Sequence, residues 1–133
     1  PPAAAVALEY AWGRAAAAGR EVDVLRASLF DTEIVKVMGN GYVTLDSGGY
    51  RTLSTLLGMN TVLKPVNLKV NVVDKSTGEW SVTHFPSRVV QDFRDKMVIS
   101  SFPDRDWVVT KALLERLPTS IQHQKQRQQP TFT

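Results

Sequence analysis

The chain has 133 residues, 43% of them hydrophobic and 22% charged, with a formal net charge of +3 and no cysteine. That composition suits one folded domain with its own core. The missing cysteines exclude disulfide frameworks, thiolate zinc sites and cysteine nucleophiles. Between residues 1 and 109 there are 12 basic and 12 acidic side chains, so the body is neutral. The excess comes from Lys111, Arg116, Lys125 and Arg127 against Glu115. A nucleic-acid binder carries its basic face on the folded body, and this distribution argues the other way. No apolar run approaches the roughly 20 residues of a membrane span. The sequence starts Pro-Pro without a methionine, which fits Met removal, cleavage of a targeting segment, or a fragment.

Residues 1–18 are rich in alanine, the best helix former. Leu8, Ala11, Trp12 and Ala15 fall at helical spacing, and Gly19 suits a C-cap. The expectation is an N-terminal helix whose thin apolar stripe leans on a neighbour. Residues 22–30 are compatible with a strand or with a helix end. Residues 33–46 read as a hairpin: Ile34–Met38 is apolar and β-branched, Asn40-Gly41 suits a two-residue turn with φ > 0 at both positions, and Tyr42–Leu45 returns.

Asp46-Ser47-Gly48-Gly49 then turns into a helix over 50–64, capped by Asp46 or Ser47 and ended by Pro65. Leu53, Leu56, Leu57, Val62 and Leu63 form its expected buried face. Gly58 inside it marks a close backbone approach. A second hairpin covers 66–85, with its loop at 74–78 and with Trp80 and Val82 inward. Residues 88–96 suit a helical turn, 97–101 a short strand, and a last helix runs from about Trp107 to Leu117. Residues 119–133 form a polar, basic tail.

The stretch VTLDSGGYRTLSTLLGMN resembles a family of short proteins of phages and other mobile elements. Its members carry L-[DN]-[ST]-G-G-[WY]-R-T, then a basic helix ending in Met-Asn or Ile-Asn, a hairpin with a Trp, and a Phe-x-Asp-Gly-Met-like strand. Here Leu45 to Thr52 match the opening, Met59-Asn60 the helix, Trp80 the hairpin, and Phe93, Asp95 and Met97 the strand. The resemblance spans residues 34–99. It implies a small hairpin–helix–hairpin module with added ends. Leu56-Leu57-Gly58 replaces the family's basic residues, so a contact surface has become a packing surface.

These readings give an α+β fold: a small, mainly antiparallel sheet packed on a central helix, with flanking N- and C-terminal helices. The divisions are a helical extension over 1–30, a core over 31–101, a helix over 102–118 and a tail over 119–133. His84 and His123 are far apart and suggest no relay, and the aspartates suit turns and caps better than a metal. No metal, cofactor or small-molecule substrate is expected. Gly48, Gly49, Tyr50 and Arg51 are candidates for an anion or nucleic acid, through exposed amides and a guanidinium before a helix. Lys64, Lys69, Lys125 and Arg127 extend that set. Tyr10, Trp12 and Trp107 are candidates for packing against a partner. The expected function is a non-catalytic accessory or structural subunit of a large assembly, such as an organellar ribosome, a respiratory-type complex or a virion. Its partners would be other subunits, with RNA reached through the tail. The alternative is a small phage-like nucleic-acid-binding protein. A mitochondrial location is expected first, then a virion or the cytoplasm.

Overall fold

The computed structural model describes residues 5–122; the tail cations Lys125 and Arg127, and His123, lie outside them. In chain order the structure begins with β1 (Ala5–Ala7) and a meander of β2 (Glu9–Ala17), β3 (Arg20–Leu29), β4 (Thr32–Met38) and β5 (Tyr42–Leu45). Helix α1 (Leu53–Leu63) and a 3-10 turn over Lys64–Val66 follow. A second meander consists of β6 (Leu68–Asp74), β7 (Glu79–His84) and β8 (Val89–Asp92). Then β9 (Met97–Ser100) returns to pair antiparallel with β5. Helix α2 (Trp107–Leu114) and β10 (Ser120–Gln122) end the described chain. The sheets have the orders β1-β10, β2-β3-β4-β5-β9 and β6-β7-β8.

This is a mainly β fold with two short helices, and it overturns the expected α+β plan of one sheet on a central helix with flanking helices. The largest correction is at the N-terminus. The residues expected to form a helix are β1 and β2, and Glu9–Ala17 pairs with β3 at nine successive positions. Alanine's helix preference is only about 0.7 kcal/mol per residue over ordinary residues, and continuous pairing with a buried strand outweighs it. Val6, Leu8, Tyr10 and Trp12 alternate with smaller or polar residues, which is the period of a strand. Residues 88–96, expected as a helical turn, contain β8 instead.

The first two turns follow one rule and the third another. Ala18 and Gly19 both take positive φ, as do Phe30 and Asp31, so each pair makes a two-residue turn of the primed kind. The Asn40-Gly41 turn differs from its expected form. Gly41 N donates to Met38 O, and only Gly41, at φ +98°, is left-handed. That is a three-residue loop ending in a bulge. A side chain at Gly41 would also collide with the Phe102 carbonyl.

The core lies between the five-stranded sheet, α1 and the second meander. Val35, Val37, Val43, Leu45, Met59, Val62 and Val70 are fully buried there. Helix α1 buries Thr55, Gly58, Met59, Val62 and Leu63, a set at i, i+3, i+4, i+7, i+8. The buried stripe is thus rotated from the expected one, and Leu53 and Leu56 lie on its flank. Gly58 sets the rotation: a Cβ there would meet Ile34 Cδ1 at 3.0 Å, so only this face lets the helix sit close to β4. The helix is capped by Thr52, which accepts from Thr55 N, and not by Asp46 or Ser47.

Candidate partner-binding surface

The glycine–arginine stretch is brought together with Trp80, Phe93 and Asp95, but as a structural joint. Asp95 Oδ1 accepts from both the amide and the hydroxyl of Ser47 at 2.7 Å. Arg51 donates to the Gly78 carbonyl at 2.8 Å and to Ser47 Oγ at 3.1 Å, and pairs with Asp95 at 3.5 Å. Its guanidinium lies 4.6 Å from the Phe93 ring centre and 5.3 Å from that of Trp80. Burial alone would raise the Asp95 pKa, but the Ser47 donors and Arg51 outweigh it and hold it below the usual carboxylate value. Every one of these residues belongs to the quoted pattern or touches it. In this chain these residues tie the helix entry to the second meander.

The anion-cradle reading loses its donors here. Gly48 and Gly49 take φ +63° and +86°, and their amides already donate to Asp46 Oδ1 at 2.8 Å and Ser47 Oγ at 3.2 Å. They precede the first helical residue by several positions. Tyr50 stands apart: it is exposed and, with Phe30, borders a 390 Å³ groove floored by Thr32, Thr52 and Thr55.

Lys64 and Lys69 do converge, on a 530 Å³ groove with Phe85 and Asn67. Asn60 forms part of this wall. Its side-chain amide donates to the Val70 carbonyl at 2.9 Å and accepts from the Val70 amide at 2.8 Å. Asn60 thus does for the free edge of β6 what a neighbouring strand would do.

Trp12 and Trp107 come together from the two ends of the described chain and pack on each other, while Tyr10 packs against the core. Trp12 and Trp107 have ring centres 6.2 Å apart. Trp107 also stacks on Phe102 at 6.0 Å. Tyr10 donates to the Pro118 carbonyl at 2.6 Å. Asp23 organises the cluster from β3. It accepts from Trp107 Nε1 at 2.9 Å, Lys111 Nζ at 3.1 Å and Arg14 Nη1 at 2.9 Å. The Trp107 hydrogen bond, then Lys111 and Arg14, lower the Asp23 pKa. This cluster holds α2 on the sheet through Trp107, Lys111 and Leu114, spaced i, i+4, i+7.

The opposite side of α2 carries Val108, Val109, Ala112 and Leu113. Val108 is 80% exposed, Val109 67% and Leu113 48%. Sequence reasoning missed this face because Trp107-Val108-Val109 and Ala112-Leu113-Leu114 are apolar all round the helix, so periodicity does not separate an outer face from a buried one. An adjoining feature was equally hidden. The outer edge of β2 carries no backbone bond among the described residues beyond Leu8, whose amide donates to Thr119 O at 2.8 Å. The two-residue turn makes Ala17 and Arg20 a hydrogen-bonded pair. Odd-numbered residues of β2 therefore bond to β3, and Tyr10, Trp12, Arg14 and Ala16 direct their amides and carbonyls outward.

His84 is the described side chain nearest to acid–base geometry. Its Nδ1 lies 2.7 Å from Ser87 Oγ and its Nε2 2.7 Å from the Ser101 carbonyl. Ser87 Oγ also accepts from Val89 N at 3.3 Å, so the pair braces the β7–β8 turn. Among the described residues no three or more His, Asp or Glu side chains are grouped to hold a metal ion, and no helix is long and apolar enough to cross a membrane. No family model, no curated protein and no solved structure matches this chain.

Proposed function

We propose that this chain is a non-catalytic structural subunit that works by binding other protein chains within a larger assembly. One observation carries the reading: α2 presents Val108, Val109, Ala112 and Leu113 to solvent on a helix firmly seated by its other face. Contiguous exposed apolar surface of this kind marks a protein contact. An assembly such as an organellar ribosome, a respiratory-type complex or a virion is the setting it fits. The test is site-specific photo-crosslinking at Val109 in the cells that make the chain. Protein adducts of defined mass are expected, and Leu113→Asp should remove them with the circular dichroism unchanged. Absence of protein adducts, with the variant folded, overturns the reading.

A second reading rests on the groove that joins Lys64, Lys69 and Phe85. Two cations beside an exposed aromatic ring suit a single strand of nucleic acid, through phosphate contact and base stacking. It predicts salt-dependent binding of an oligonucleotide that Lys69→Ala and Phe85→Ala each weaken.

A further inference from the structure

We infer that β2 is a homotypic pairing edge: two copies of this chain join antiparallel, β2 to β2, about Gly13, to make one continuous ten-stranded sheet. The inference rests on the protein-binding reading above and names one of its partners, a second copy.

Among the described residues the edge is long and unguarded. Sheet edges are normally blunted by brevity, lysine, proline, a bulge or a covering group. In this molecule β8 and β9 have four residues each. The edge of β6 is bonded by Asn60. By contrast β2 has nine residues, no lysine or proline, and an unbroken register with β3. Its one cation, Arg14, is neutralised by Asp23 at 2.9 Å, with Glu21 at 3.7 Å.

The register follows from which residues point outward. Pairing about Gly13 sets Tyr10 against Ala16 and Trp12 against Arg14, in both directions. All four outward residues of each strand then find partners, giving about eight interchain hydrogen bonds. It also places each Arg14 opposite a Trp12 ring, a cation facing an aromatic face. A register centred on Arg14 would set two guanidinium groups directly opposite, which is unfavourable. One centred on Trp12 would need Leu8, whose amide already bonds Thr119. The free stretch is bounded by that bond at one end and by the Ala18-Gly19 turn at the other, and it matches its own length.

The experiment uses the full chain in analytical ultracentrifugation from micromolar concentrations to about 1 mM. A reversible dimer is expected. Ala16→Pro removes an outward amide and leaves the β3 bonds intact, and it should weaken dimerisation at least about tenfold, with the β-sheet circular dichroism retained. Gly13→Cys reads the register in a chain that has no other cysteine. A Cβ at Gly13 meets nothing within 4 Å, and the two positions would be about 4.5 Å apart in the pair, within disulfide reach. Mild oxidation should give a covalent dimer for Gly13→Cys and none for Ala17→Cys. A chain that stays monomeric throughout overturns the pairing, as does failure of Gly13→Cys to cross-link. Either failure leaves the Val109 adducts standing as the separate readout of the protein-binding reading.

Discussion

The centre and the ends of this molecule treat their polar and apolar side chains in opposite ways. In the centre, Ser47, Arg51, Asn60 and Asp95 all end on internal partners. At the ends, Val108, Val109 and Leu113 face solvent, and β2 leaves its outer backbone free of bonds among the described residues. The difference teaches where to look for function. The residues most suggestive of chemistry are joints of the fold, and the surface we propose to take a partner is made of plain valine, leucine and backbone.

Substitutions can break that contrast. Arg51→Ala should have the largest effect, about 3 kcal/mol of lost stability, since it removes the Gly78 and Ser47 bonds and leaves Asp95 without its cation. Urea unfolding measures it, and a loss of partner binding without a loss of stability would reverse the assignment of Arg51 as a joint. Asn60→Ala should cost about 2 kcal/mol, because the amide and carbonyl of Val70 lose their bonds together.

Asp23→Asn sits between the two regions, since Asp23 seats the helix that carries the exposed face. The expected loss is about 1 kcal/mol near neutral pH, read from thermal melts followed by tryptophan fluorescence. The folded Asp23 pKa is lowered. Its contribution is therefore present above the unfolded value of about 3.9 and is lost as pH falls through the folded value. The melting difference between the two proteins should shrink steadily below about pH 4, and a difference that grows in acid would refute the assignment.

The smallest change is expected at the turn that bounds β2. Ala18 holds φ +52°, a conformation that asparagine tolerates better. Ala18→Asn should raise stability by about 0.5 kcal/mol, with self-association unchanged. A shift in dimerisation there would mean that the turn itself is part of the contact.

Much of the centre could be read from the chain alone, because its signals are local. Pro65 ends a helical run, Gly58 marks a tight approach, and the 74–78 loop separates two alternating strands. The N-terminal strands were equally local in their Val6-Leu8-Tyr10-Trp12 alternation, but the alanines between them also fit a helical stripe and carried the higher intrinsic preference. Sequence order could not show that β9 returns to β5 across 51 intervening residues, or that β10 pairs with β1. Nor could it show that Asn60 would meet Val70.

What the sequence determined by itself, then, is the place of the Asn40-Gly41 turn and of the 74–78 loop, the central helix and the alternating strands that flank it. These follow from backbone sterics and from side-chain periodicity over a few residues. What only the tertiary structure decided is the use of each side chain: that Arg51 and the glycine amides are spent internally, that Trp12 and Trp107 close on each other, and that among the described residues the outer faces of α2 and β2 remain open. A side chain's role depends on which distant groups the fold brings within bonding reach, and no local pattern encodes that.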